Sequence, residues 1–204
     1  MLGIKIPFKQ QQFEAREEAI LDAVNRLLSE KGFDLMTMDD VADAVGVAKG
    51  SLYKHFSSKE KLAAAVMIRL LSQTLETLQQ MPADWPAVRQ LEEILRWSLH
   101  QRMRGGVPLL PSTRGALQRA LMMNLEYLAL AFKVNTKFHA LVERAKSDGD
   151  VARDVPDEVV VYTLYARSCD PTVDYLRRDG KLSDDQIVEA MVAATFHGLA
   201  GLKK

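Results

Sequence analysis

A chain of 204 residues in which Lys plus Arg and Asp plus Glu both total 27 carries no formal net charge. Any surface for a polyanion therefore has to come from local clustering. Hydrophobic residues make up 48% and charged residues 26%, a globular composition that excludes a wholly disordered or collagen-like chain and fits one large domain or a small domain leaning on a larger one.

Met1 to Gln12 has two lysines, a proline and scattered apolar residues, without the apolar stretch and cleavage site of a secretory signal, and reads as a flexible arm. From Phe13, the set Ile20, Ala23, Val24, Leu27 and Leu28 marks one face of a first helix, expected over 13–31 and ended by Gly32. Thr37-x-x-Asp40 is a capping signal for a short second helix, with Met36 and Val41 at hydrophobic-staple spacing. Gly46 breaks that helix, and a third resumes near Ala48 with Leu52 and Phe56 turned inward. Ser57-x-x-Glu60 is a second capping signal, opening a long helix through Leu62, Val66, Leu70 and Leu71 toward Leu78. Its run from Leu62 to Ile68 is the longest apolar stretch in the chain, seven residues. A bilayer span needs roughly 20. No membrane helix is expected, and with Cys169 as the lone cysteine a reducing cytoplasm is the default location.

After the punctuation of Met81 to Pro86, Val88, Leu91, Ile94, Leu95 and Leu99 form the next stripe, and Gly105 to Ser112 reads as an internal loop. One long helix or two shorter ones follow over 115–147. Pro156 suits a first helical position, Pro171 kinks or restarts the chain, Gly180 ends that segment, and Ser183-x-x-Gln186 caps a last helix toward Leu202. The whole is all-α, with nine or ten helices: an arm at 1–12, a helix-turn-helix unit at 13–60, and a second helical unit at 61–204.

The stretch from Thr37 to Lys61 carries the functional information. A glycine between two short helices, with Ala42 four residues before it, fits a helix-turn-helix, where close crossing excludes a large side chain. With Leu52 and Phe56 inward, Lys49, Gly50, Ser51, Tyr53, Lys54 and His55 lie across the exposed side. Lysine neutralises phosphate, serine approaches base edges, tyrosine and histidine donate to phosphate oxygens, and glycine lets the backbone come close. Lys59 adds charge where free amides at a helix start already favour a phosphate. Residues 47–61 hold four lysines against one glutamate, whereas 33–46 hold four aspartates, so the positive field is confined to the recognition side.

Thr37, Val41, Ala42, Ala44, Gly46, Val47, Gly50, Leu52, Tyr53, His55, Phe56, Ser58, Lys59, Glu60 and Leu62 together resemble the tetracycline-repressor (TetR) family of bacterial transcriptional regulators. The resemblance implies Thr37, Lys49, Ser51, Tyr53, Lys54, His55 and Lys59 as DNA contacts, with Leu52 and Phe56 as core. Ala48 departs from the pattern, standing where the family usually has Ser or Thr, so the third helix lacks its capping hydroxyl. Related regulators use the remainder to dimerise and to enclose a small ligand. Here Ala190, Ala193, Ala194, Gly198 and Gly201, with Ile187, Met191 and Leu199, suit close pairing of the last helix with a two-fold mate. A dimer would present two recognition helices ~34 Å apart to a pseudo-palindromic operator.

Trp97, His100, Tyr127, Tyr162, Tyr165 and Cys169 are the candidate lining of a largely apolar cavity. Lacking an Arg or Lys cluster on those helices, the cavity fits a hydrophobic or aromatic effector better than a strongly anionic one. His100, His139 and His197 are far apart, so no metal site is expected, and no cofactor is implied. A helical-bundle enzyme is disfavoured by the lack of a phosphate loop, nucleophile elbow or convergent carboxylates, and Arg104-Gly105-Gly106 is too short to count as such a loop. The expected function is ligand-relieved repression of transcription. The alternative is a ligand-independent protein-interaction module whose helix-turn-helix has lost DNA binding.

Overall fold

The computed structural model describes residues 8–106 and 115–199, and every regular element in them is helical. Ten helices follow in order among the described residues: α1 Phe8–Leu35, α2 Met38–Val45, α3 Lys49–His55, α4 Lys59–Gln80, α5 Ala87–Met103, α6 Ala116–Met122, α7 Leu125–Asp148, α8 Asp157–Ser168, α9 Thr172–Asp179 and α10 Asp184–Phe196. The all-α class and the helix count expected from the sequence stand.

Local signals explain most boundaries. Thr37 caps α2 reciprocally with Asp40, and Gly46 closes it at φ 72°, ψ 36°, a left-handed conformation that glycine adopts without strain. Asn124 caps α7 through its side chain, which splits the 115–147 segment into two helices. Ser183 and Gln186 form the expected capping box at α10.

Four boundaries differ from expectation. The first helix begins at Phe8, so residues 8–12 of the supposed arm are helical, and past a non-helical Gly32 (φ 75°, ψ 170°) the chain takes one further turn to Leu35. Gly32 thus ends the regular helix where the sequence puts its end, and only a short turn lies beyond it. The cap of α4 is Ser58, whose hydroxyl accepts from Lys61 N, and not Ser57. Pro156 stands just outside α8 with an extended ψ of 143°. The last helix stops at Phe196, where Gly198 takes φ 75°, well short of Leu202. Most of the Gly105–Ser112 loop, Gly201 and Leu202 lie outside the described residues.

Two apolar cores result. In the first, Ile20, Val24, Met36, Val41, Leu52 and Leu62 are fully buried, and α6 closes it with Leu117 and Leu121. The second gathers Leu91, Ile94 and Leu99 of α5 with Val142, Val161 and Ile187. Each such side chain removed from water contributes ~1.5–3 kcal/mol. Helix α4 belongs to both: Leu62, Ala63, Val66 and Met67 pack in the first core and Leu78 in the second. No helix among the described residues is long and apolar enough to cross a membrane.

Candidate nucleic-acid interface and apolar cavity

The start of α2 is tied on three sides. Asp40 N donates to Thr37 Oγ1 at 3.1 Å, Thr37 N donates to Asp40 Oδ2 at 2.9 Å, and Lys31 Nζ donates to Asp40 Oδ1 at 2.8 Å. The Lys31 ammonium and the Thr37 donors hold the Asp40 carboxyl down at about 2. Helix α3 is fixed differently. Ala48 occupies its N-cap with no side-chain hydrogen bond, and the helix is anchored by Leu52, which is wholly buried. That anchor leaves Lys49, Gly50, Tyr53 and Lys54 exposed, as the spacing predicts, whereas Ser51 is half-buried. No atom lies within 4 Å of the position a Cβ would take on Gly50, so another backbone has room to approach there. The Asp39 carboxylate, 2.6 Å from Lys49 Nζ, raises that ammonium above the usual lysine range through its hydrogen bond.

Two residues expected on this face are elsewhere. His55 was placed across the exposed side, but its side chain is only 5% exposed. Its ring stacks on Phe13 at 4.2 Å between centroids, with Nδ1 3.4 Å from Glu17 Oε1. The cause is the packing of α1 across α3, which carries Phe13 and Glu17 over the end of α3. Lys59 was expected to point its charge at a phosphate. Its Nζ instead donates to the carbonyls of Phe33, Asp34 and Met36 at 3.2, 3.3 and 3.4 Å and sits 4.6 Å from the Phe33 ring centroid. It closes the end of α1, where the helix dipole is negative.

Behind the first core, α4, α5, α6, α7 and α8 line a cavity of about 940 Å³ that opens to solvent past Phe132 and Tyr162. Trp97, Tyr127, Tyr162, Tyr165 and Cys169 all line it. His100 does not, since it faces α10 with Nε2 3.9 Å from Asp185 Oδ1. Sequence reasoning missed the walls given by Met67, Leu70 and Leu71 of α4 and by Phe132 and Phe138 of α7, which carry the same periodicity as ordinary core. No charged side chain lines the cavity among the described residues. Its hydroxyls are mostly spent locally: Thr74 Oγ1 donates to Leu70 O and Ser98 Oγ to Ile94 O, each at 2.8 Å. The Tyr165 hydroxyl lies 3.5 Å from Asn135 Oδ1, and burial pushes it up to about 12, so it remains a neutral donor near neutrality.

On the outer side, α8 exposes Val159, Thr163 and Ala166 at helical spacing, and α10 exposes Ala190 and Ala193. The expectation for Ile187 and Met191 is corrected: both are buried in the protein's own second core because they lie on the opposite face of α10.

Residues 20–66 match the family model described as bacterial regulatory proteins, tetR family. The chain is 24% identical over 189 residues to the HTH-type transcriptional repressor KstR2 of Rhodococcus jostii (strain RHA1), covering 91% of each chain. The fold matches that of the fatty acid degradation regulator FadR from Bacillus halodurans with a TM-score of 0.68, at 16% identity over 90% of this chain and 96% of that one. It also matches AibR, solved in complex with isovaleryl coenzyme A and operator DNA, with a TM-score of 0.62, at 22% identity over 89% of this chain and 98% of that one. The helix-turn-helix geometry and the family match agree over the start of the chain: residues 20–66 are similar to the DNA-binding unit of the bacterial regulatory proteins of the tetR family, and the remainder shares the helical fold of such regulators.

Proposed function

We propose that this protein is a dimeric, DNA-binding repressor of transcription, released from its operator when a mainly hydrophobic small molecule fills the cavity behind α4. The observation that carries the reading is α3 itself, a short helix whose one apolar anchor is buried while its cations face outward. Lys49, Gly50, Ser51, Tyr53 and Lys54 are the groove-facing set, and Thr37, exposed at the start of α2, adds a phosphate contact. His55 and Lys59 hold this surface in place and do not touch DNA. The unit at 13–60 reads the operator, and residues from 61 onward bind the effector and pair the subunits.

An acyl chain is the effector class that best suits a large cavity without charged walls. Its support from relatives is that AibR was solved with isovaleryl coenzyme A and that the Bacillus halodurans protein regulates fatty acid degradation. Trp97, Tyr127, Tyr162, Tyr165 and Cys169 contact it. The exposed faces of α8 and α10 form a four-helix interface with a second copy, isologous under a two-fold axis. The protein acts in the cytoplasm, by binding rather than by turnover, since repression needs only that the effector prefer the DNA-free state.

Fluorescence anisotropy with labelled duplex from the DNA flanking its gene tests the reading. The expected result is a salt-dependent complex that dissociates on adding long-chain acyl-coenzyme A. A binding signal indifferent to salt would favour the interaction module, because about eight neutralised phosphates per dimer give a log-log slope near −7. Ser98→Trp, which fills the cavity, is expected to leave DNA binding intact and abolish release.

A further inference from the structure

A second pocket, of about 270 Å³ and polar, lies where α1, α4 and the end of α5 meet. Asn25 and Arg26 of α1, Arg69 and Gln73 of α4, and Arg104 beyond α5 lie on its wall. Asn25 is 7% exposed, and its Oδ1 has no hydrogen-bond partner among the described residues. Proteins seldom leave a buried amide oxygen unpaired unless something else completes the bond.

The charges around it are uneven. Arg69 Nη1 lies 2.9 Å from both Glu18 Oε2 and Asp22 Oδ1, so its cation is already balanced. Arg26 and Arg104 are exposed, and neither is ion-paired among the described residues. The turn after α5 puts Arg104 there. Gly106 N donates to Gln101 O at 2.6 Å, and a Cβ on Gly106 would fall 2.9 Å from that same oxygen, so only glycine lets the turn close this tightly. The neighbouring Gly105, at φ 73°, passes 3.6 Å from Arg26 Cγ, measured from where its Cβ would be. Arg104-Gly105-Gly106, too short to be a phosphate loop alone, becomes one wall of a site completed by α1.

We propose that this pocket binds a phosphate ester, with Arg26 and Arg104 on the phosphate oxygens and the amides of Asn25 and Gln73 on the polar wall behind them. Guanidinium groups suit phosphate because their planar donors match its oxygens two at a time. Glu18 and Asp22 together outweigh Arg69 by one charge, and Arg26 and Arg104 turn the surroundings of the pocket net positive. Leu70 lines this pocket and the apolar cavity alike, so one turn of α4 separates the two spaces. The phosphate arrives either on a free small molecule or as the head of an acyl ester whose chain fills the cavity. The second case rests on the effector reading above, and the first does not.

Titration calorimetry on the full chain separates these, using inorganic pyrophosphate, coenzyme A, palmitate and palmitoyl-coenzyme A against wild type and Arg26→Gln/Arg104→Gln. Both replaced residues are exposed, and an unchanged ligand-free Tm verifies the fold. Coenzyme A affinity is expected to fall at least about tenfold in the variant, with palmitate affinity unchanged. If palmitoyl-coenzyme A weakens in parallel, the head and chain belong to one ligand. If it does not while coenzyme A or pyrophosphate weakens, the pocket serves a free phosphate ester. Failure of palmitate alone to bind would remove the cavity reading and leave the phosphate site standing. The proposal is overturned if no phosphate probe binds wild type, or if all of them bind the variant equally well.

Discussion

Lys49 Nζ and Asp39 Oδ1 lie 2.6 Å apart, so the first cation of the recognition helix is shared with a carboxylate on the helix before it. Both side chains are exposed, and an ion pair in that setting does little for stability. Its consequence is for binding. The Asp39 carboxylate both occupies Lys49 and repels an approaching phosphate. Asp39→Asn is expected to tighten operator binding about three- to tenfold at low salt, with the gain fading as salt is raised. Anisotropy titrations at two ionic strengths check this, and weaker binding by the variant would place Asp39 on a base edge instead.

Lys54 is exposed with no ion pair among the described residues, and Lys59 is committed to three carbonyls. The two lysines should therefore separate cleanly. Lys54→Ala is expected to flatten the salt dependence of operator binding by about 2 in log-log slope per dimer while leaving Tm unchanged. Lys59→Met is expected to lower Tm, losing ~1.5–3 kcal/mol of hydrogen bonding to a charged group, with the salt slope preserved. A reversed pattern would return Lys59 to the DNA surface.

The Asp40 carboxyl, lowered from 3.8 to about 2, makes a signed prediction in acid. A depressed carboxylate stabilises the folded state above its unfolded pKa and stops doing so as pH falls through the folded value. Its contribution is thus intact at pH 5 and lost between about pH 4 and pH 2. Asp40→Asn should be less stable than wild type at pH 5 and should converge with it near pH 2. Thermal melts across that range read the difference, and parallel curves at every pH would mean that the Lys31 and Thr37 contacts are not made in solution.

Ala48 at the N-cap of α3 has extended φ and ψ (−64°, 139°) and no side-chain cap. Ala48→Ser should restore the missing acceptor and stabilise the protein by ~0.5–2 kcal/mol, or about 2–4 °C in Tm per kcal/mol. A drop in Tm would show that the serine side chain cannot reach the amides of Gly50 or Ser51.

The sequence was most readable where a local signal decides the outcome. Thr37, Gly46, Ser183 and Gly180 each set a helix end through their own backbone or side chain, and each end is where the pattern puts it. It failed where a distant element decides. His55 has the spacing of a surface residue, and only the way α1 packs across α3, bringing Phe13 and Glu17 overhead, covers it. Lys59 has the position of a phosphate ligand, but the end of α1 supplies three carbonyls first. Cavity walls such as Leu70 and Phe138 read as plain core because burial against a void and burial against a neighbour leave the same periodicity. The polar pocket was invisible for a related reason: Arg26 and Arg104 are far apart in the chain, and no spacing rule joins them.

Because Leu62 through Met67, together with Leu117 and Leu121, complete the hydrophobic interior beneath the DNA-reading helices, that head is not a detachable module. Grafting it onto a different effector unit by cutting near residue 60 would strip part of its own interior. A chimera that keeps its specificity would have to carry the first half of α4 and the whole of α6 across the junction.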